Sequence, residues 1–172
     1  MTVRARDEAD RIVKTMVAEV NRLKEAKANI SAPIVLFAFM DAMAWASIGE
    51  GNVKGSDFVA WVDQYMPVNE PREYHYSGAD LYKARCSLLH QFAAHEKHPI
   101  KFAYVDGGPH RHRKDISPYI VILSVETLAD DFWAAVARFL VDVRGTKRWP
   151  AIEARFAQMY EYTKRDESGT YR

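Results

Sequence analysis

Two side chains able to bind an anion and to transfer a proton, Arg85 and His90, lie five positions apart within residues 77–95. A guanidinium binds phosphate oxygens and stabilises the negative charge of a transition state. An imidazole moves protons at neutral pH, because its pKa lies near neutrality. The alternative for His90 is a structural role, with its ring hydrogen-bonded at the edge of an apolar helix face.

Residues 77–95 are predicted to form one helix that carries both side chains. Ser77 is a suitable N-cap, and the negative charge of Asp80 suits the first helical turn. An apolar stripe at helical spacing is formed by Leu81, Leu88, Leu89 and Phe92. This spacing places Arg85 in the middle of the stripe. An arginine there costs free energy unless it is paired, so we expect a partner or a functional role.

Asp41 is the candidate ion-pair partner of Arg85. It is the only charged residue in residues 31–48, a second predicted helix that is apolar nearly all round and therefore expected at the centre of the fold. Two lone opposite charges on two core helices are expected to pair. The sequence thus leaves two interpretations of Arg85: a structural ion pair with Asp41, or a phosphate ligand in a cleft.

The hexapeptide from Arg85 to His90, Arg-Cys-Ser-Leu-Leu-His, is an R-x4-H element on a predicted helix. It resembles the signature of the HEPN superfamily, small all-α domains that include many metal-independent endoribonucleases of toxin–antitoxin and antiviral systems. The resemblance implies that Arg85 stabilises the phosphate and that His90 moves the proton of the attacking ribose 2′-hydroxyl. It also implies a homodimer in which two copies form the cleft, RNA as substrate, and no metal or other cofactor.

Tyr82 and Cys86 flank Arg85 on the same predicted helix and are candidate substrate contacts. Tyr82 belongs to an aromatic cluster with Tyr74, His75 and Tyr76. This cluster either packs over the core or stacks bases of single-stranded RNA. A nucleophilic Cys86, with His90 one turn away, is a further alternative.

The segment His-Arg-His-Arg-Lys at residues 110–114 follows Asp-Gly-Gly-Pro and is predicted to be an exposed, mobile loop. Its residues His110, Arg111 and Arg113 are candidate contacts to an RNA backbone or to a partner protein such as an antitoxin. The alternative is a solvated loop tip.

The spacing His110-x-His112, together with His95-x-x-His98, offers imidazoles to a metal ion. No cysteine or clear carboxylate spacing completes a zinc pattern, so no metal site is predicted.

The remaining sequence predicts a mainly α fold, a helical bundle of four to six helices with one inserted β-hairpin at about residues 100–124. The hairpin strands are expected at residues 100–105 and 119–124. A single domain is expected over residues 1–172, with a frayed tail at about 165–172. The predicted helices cover residues 5–27, 31–48, 57–66, 77–95, 126–143 and 151–164.

Composition narrows the class of protein. The 172 residues carry a formal net charge of +1, so no global field attracts nucleic acid or membrane, and 48% hydrophobic content argues against disorder. The single Cys86 excludes an internal disulfide and fits a reducing compartment. No signal peptide or bilayer-length apolar run is apparent, which predicts a cytoplasmic location and no membrane association.

Two functions follow from these observations. The first is a HEPN-like domain that binds or cleaves RNA at Arg85 and His90 across a homodimer, and it makes the chain a candidate metal-independent endoribonuclease. The second is a catalytically inactive helical interaction or structural module in which Arg85 pairs with Asp41 and His90 is structural.

Overall fold

The computed structural model describes the backbone of residues 3–67, 71–91 and 100–163, and the side chains of residues 8–67, 71–89 and 100–159. This part of the chain is mainly helical with a small inserted sheet, as the sequence predicted. The helices are α1 (Val3–Glu25), α2 (Ser31–Ile48), α3 (Gly55–Tyr65), α4 (Gly78–Gln91), α5 (Val125–Val143) and α6 (Trp149–Thr163). The strands are β1 (Lys101–Val105), β2 (Arg111–His112) and β3 (Ile120–Ser124).

Helix α2 lies at the centre of the bundle. Within the described residues it is the one helix long and apolar enough to cross a bilayer. Its apolar character is explained by packing, because it contacts other helices and buries side chains on several sides. The buried set is Ala32, Pro33, Leu36, Phe37, Met40, Met43, Ala44 and Ala46.

The sheet has the strand order β1-β3-β2. Both predicted strands form, but the expectation that they make a hairpin with each other is wrong, because β1 pairs with β3 in parallel. After β1 the chain crosses to the far side of β3, where the short β2 pairs antiparallel with it. Gly107 and Gly108 allow this crossing, since both have positive φ angles (66° and 76°) that other residues rarely adopt.

Strand β1 packs against the helix that carries Arg85. The hydroxyl of Tyr104 donates to the carbonyl of Ala84 at 3.4 Å. The ring of Tyr104 also meets Phe37 of α2 edge-on, with ring centroids 6.3 Å apart. The inserted sheet therefore abuts α4 one residue before Arg85.

Candidate functional site

The start of helix α4 is stabilised by an N-cap and by a contact with α3. Ser77 and Asp80 form the predicted cap, because the amide N–H of Asp80 donates to the Ser77 hydroxyl and the Asp80 carboxylate accepts from the amide N–H of Ser77. The N–H of Gly78 also donates to Asp63 of α3 at 2.5 Å. A Cβ on Gly78 would lie 2.4 Å from the carbonyl oxygen of Val59, so glycine permits this close helix–helix approach.

The buried face of α4 determines where Arg85 lies. Leu81, Ala84 and Leu88 are its buried residues, with 0%, 0% and 8% exposure. Arg85 is next to this face rather than in its middle, and 19% of its side chain is exposed. The prediction of an arginine at the centre of the apolar stripe is therefore wrong, because the described buried residues of α4 lie to one side of Arg85.

Arg85 forms the ion pair with Asp41 that the sequence suggested. Its Nε and Nη2 atoms lie 2.9 and 2.8 Å from the same oxygen, Oδ2 of Asp41. The Asp41 side chain is 28% exposed, so solvent reaches both partners. Burial alone would lower the pKa of Arg85, but the hydrogen bond and charge of Asp41 outweigh it and raise the pKa. The guanidinium is therefore a fixed, permanent cation.

Two neighbours on α4 also lie beside the guanidinium. Nη1 of Arg85 lies 3.7 Å from the sulfur of Cys86, and the Arg85 carbon Cζ lies 5.8 Å from the ring centroid of Tyr82. The neighbouring sulfur of Cys86, and then burial, raise the pKa of Tyr82 above its usual value. The Tyr82 ring occupies the space in which a Cβ on Gly55 would lie, at 2.5 Å. The structure thus brings Asp41, Tyr82, Arg85 and Cys86 together beside the start of α3.

The side chain of His90 lies outside the described residues, so its predicted role stays a prediction. Its backbone belongs to α4. Residues four apart lie on one side of a helix, and Cys86 is four residues before His90. Nη1 of Arg85 approaches the Cys86 sulfur, so the guanidinium extends towards the side of α4 on which the backbone positions of Cys86 and His90 lie.

The segment 110–114 differs from the predicted exposed loop. His110 is fully buried, at 0% exposure, so the expectation of a solvent-facing imidazole is wrong. Its Nδ1 atom accepts from the amide N–H of Ser124 at 3.1 Å, which ties the loop to the start of α5. Arg111 is exposed, whereas Arg113 is bound by Asp115 through Nε and Nη2 at 2.7 and 2.5 Å. Substrate contacts by Arg111 and Arg113 stay predictions.

A buried polar cluster that the sequence reasoning missed surrounds Asp131 of α5. Asp131 is 3% exposed, and its two oxygens accept from Nη1 and Nη2 of Arg72 at 2.5 and 2.8 Å. The Tyr76 hydroxyl donates to it at 2.6 Å, and Nε2 of His110 lies 3.6 Å away. Burial alone would raise the pKa of Asp131, but His110, Arg72 and Tyr76 outweigh it and lower the pKa to about 2.

The Asp131 cluster has a structural rather than a chemical character. Arg72 and Tyr76 both donate to Asp131, and the side chains of Asp131 and His110 are buried. It joins the segment before α4, the loop after β1 and helix α5 at one point. A sequence signal existed, because Asp131 lies three residues after Leu128 and next to Phe132 on the buried face of α5.

Comparisons of the chain with protein-family models, with curated proteins and with solved structures give no match. Within the described residues no three histidine, cysteine, aspartate or glutamate side chains are close enough to hold a metal ion together. His95 and His98 lie outside the described residues.

A separate cleft of about 340 Å³ lies between α2, α3 and the turn before α6. The indole N–H of Trp61, a buried residue of its wall, has no hydrogen-bond partner within the part of the chain that is described. None of the residues predicted from the sequence to bind or react lines this cleft. Its lining is formed by Ser47, Ile48, Asp57, Ala60, Trp61, Gln64, Tyr65 and Arg148.

Proposed function

We propose that this chain is a HEPN-like domain that binds RNA and cleaves it without a metal ion, with Arg85 and His90 as the reacting residues. The observation that carries the proposal is the placement of the Arg85 guanidinium. It is fixed by Asp41, remains 19% exposed, and extends along α4 towards Cys86. A fixed cation that solvent reaches can receive a phosphate and stabilise the charge of its transition state.

The reaction follows from these two groups. His90 takes the proton of a ribose 2′-hydroxyl, and the 2′-oxygen forms a bond to the adjacent phosphorus while the bond from phosphorus to the 5′-oxygen breaks. Arg85 neutralises the charge on the phosphoryl oxygens, and the leaving 5′-oxygen takes a proton from solvent. The products are a 2′,3′-cyclic phosphate and a 5′-hydroxyl. Asp41 is a positioning residue, because it acts through Arg85.

The proposal also includes partners and a location. A second copy of the chain completes the cleft, an antitoxin protein binds the chain, and the protein acts in the cytoplasm. The resemblance of the R-x4-H element supports the first two, and the single free cysteine supports a reducing compartment.

The second candidate is a catalytically inactive helical module. The observation that favours it is the ion pair itself, since Asp41 neutralises much of the charge that Arg85 would offer to a phosphate. In that case Arg85 holds α2 and α4 together and takes part in no reaction.

Cleavage of a labelled single-stranded RNA in the presence of EDTA tests the proposal. We expect the wild type to release fragments ending in 2′,3′-cyclic phosphate, and Arg85→Ala and His90→Ala to lower the rate by about 100-fold or more. Matched controls are Arg22→Ala and Lys14→Ala, because both residues are exposed and lie on α1, outside the site. The controls should cleave at the wild-type rate.

Equal activity of the wild type, Arg85→Ala and His90→Ala would contradict the enzymatic proposal. This holds if none of the three cleaves RNA, and it holds if a contaminating nuclease gives all three the same cleavage rate. Loss of folding in Arg85→Ala, measured by thermal unfolding, would favour the structural module. In that case Arg85→Lys, which keeps the charge, is compared with the wild type. A folded Arg85→Lys protein with a lower cleavage rate supports the enzymatic proposal, and one with the wild-type rate supports the structural module.

A further inference from the structure

Two large apolar side chains are exposed near each other in the chain at one end of the sheet. We call this region, residues 111–120 with Lys101, the tip. Ile116 is 61% exposed and Tyr119 is 51% exposed, and only two residues separate them. The other large apolar residues exposed in the described chain are far apart in sequence: Ile30 precedes α2, Val53 precedes α3, and Val141 lies on α5. Neighbouring exposed apolar side chains with a polar rim are typical of a binding surface.

Hydrogen bonds hold this tip in one conformation. The amide N–H of Ser117 donates to the carbonyl of Arg113 at 2.9 Å, and the amide N–H of Tyr119 donates to the hydroxyl of Ser117 at 3.2 Å. The Nε2 atom of His112 lies 2.5 Å from the carbonyl oxygen of Pro118. Tyr119 is therefore displayed by an ordered loop, and a ligand would meet a preorganised surface.

The tip is locally cationic although the whole chain has a net charge of only +1. Residues 111–120 contain three cations and one carboxylate, and that carboxylate, Asp115, is bound by Arg113. Lys101, Arg111 and Lys114 are exposed, and none of them forms an ion pair within the described residues. Their charge is available to phosphates.

The tip also lies close to the helix that carries Arg85. The amide N–H of Lys101 donates to the carbonyl of Tyr119 at 2.7 Å, which joins the tip to the start of β1. Three residues further along β1, about 10 Å at the usual strand rise, the hydroxyl of Tyr104 contacts Ala84 of α4. A single nucleic-acid strand bound at the tip is within a short reach of that turn of α4.

We propose that this tip, residues 111–120 with Lys101, is the docking surface for single-stranded RNA, an inference that rests on the proposed function. A base stacks on Tyr119 and contacts Ile116, while Lys101, Arg111 and Lys114 contact phosphates. A single strand suits the surface better than a duplex, because only unpaired bases present a face for stacking on a tyrosine.

Binding of a fluorescein-labelled 12-nucleotide single-stranded RNA, measured by anisotropy, tests the stacking contact. The full chain carrying His90→Ala is used, so that the RNA stays intact. Adding Tyr119→Ala should weaken binding by about fivefold to 100-fold. Tyr119→Trp, which keeps an aromatic face, should restore it. The matched control is Val141→Ala, another exposed apolar residue, which should bind as tightly as the parent.

The cations are tested by the salt dependence of the same binding. Lys101→Ala with Lys114→Ala should reduce the slope of log K against log salt by about 1.4, since each phosphate contact to a single strand contributes about 0.7. The matched control replaces Lys14 and Lys147, two exposed lysines far from the tip in sequence, and should leave the slope unchanged.

Unchanged affinity in Tyr119→Ala, an unchanged slope in the lysine pair, or no RNA binding at all would overturn the inference. Displacement of RNA by polyglutamate as effectively as by unlabelled RNA would overturn it in favour of an acidic protein partner. The outcome is separable from that of the proposed function. Cleavage that depends on Arg85 without binding at the tip leaves the proposed function standing, and tip binding without cleavage supports the inference alone.

Discussion

Among the Arg–Asp pairs that connect distant parts of the described chain, those of Arg72 with Asp131 and of Arg85 with Asp41 differ in their access to solvent. Arg72 and Asp131 are 11% and 3% exposed, and the guanidinium binds both carboxylate oxygens. Arg85 and Asp41 are 19% and 28% exposed, and the guanidinium meets a single carboxylate oxygen. The first pair is reinforced by the Tyr76 hydroxyl, whereas the second borders Tyr82 and Cys86.

This difference separates a stabilising pair from a candidate reactive one. A sealed pair cannot exchange its partner for a ligand, and removing one of its members leaves a charge buried without compensation. A pair that solvent reaches loses less when it is broken, and its cation can meet a phosphate. We therefore expect perturbations at Asp131 to act on stability, and perturbations at Arg85 to act mainly on function.

The largest expected effect is that of Asp131→Asn. It should lower the free energy of unfolding by about 3–5 kcal/mol, because the largely buried Arg72 would lose the carboxylate that two of its nitrogens bind. Urea denaturation measures this change. Asp130→Asn is the matched control, since Asp130 is the exposed neighbour on the same helix, and it should change the stability by less than about 0.5 kcal/mol. Equal effects of the two substitutions would show that the buried cluster does not stabilise the fold.

Lowering the pH should gradually remove the stabilisation of the fold that the charged Asp131 carboxylate provides. The pKa of Asp131 is lowered to about 2 in the folded protein, whereas an unfolded aspartate titrates near 3.9. Because the folded pKa is the lower one, the stabilisation is present above about pH 4 and is lost as the pH falls through 2. The loss is on the order of 2 kcal/mol.

This acid effect is measured as the difference between the wild type and Asp131→Asn in their free energies of unfolding from pH 5 to pH 2. Other carboxylates titrate in both proteins, so the difference isolates Asp131. We expect the difference to narrow as the pH falls. Parallel profiles would mean that Asp131 titrates alike in the folded and unfolded chain.

Local sequence patterns predicted the helices and one ion pair well. The Ser77–Asp80 cap and the bounds of α2 follow from neighbouring residues, and the structure contains both. The pair of Asp41 and Arg85 could be expected because Asp41 is the one charge in residues 31–48 and Arg85 interrupts an apolar spacing on α4. Applied to α5, the same reasoning would have identified Asp131 beside Leu128 and Phe132.

Features decided by tertiary contacts could not be predicted from local patterns. The residues of β1 and β3 predict strands, but the parallel direction depends on where the chain crosses the sheet. The cationic sequence around His110 favours exposure, yet its ring is buried against Tyr76 and beside Asp131, which are distant in sequence. Their burial is explained only by the fold that brings them together.

The smallest effect, and the sharpest test of the comparison, is the coupling between Asp41 and Arg85. A double-mutant cycle with Asp41→Ala and Arg85→Ala should give a coupling free energy of about 1 kcal/mol or less, and added salt should reduce it. The same cycle on Arg72 and Asp131 should give a larger and less salt-sensitive value, because that pair is shielded from solvent. If both cycles gave equal values, Arg85 would be as firmly committed to its carboxylate as Arg72 is, and the structural module would be the better interpretation of α4.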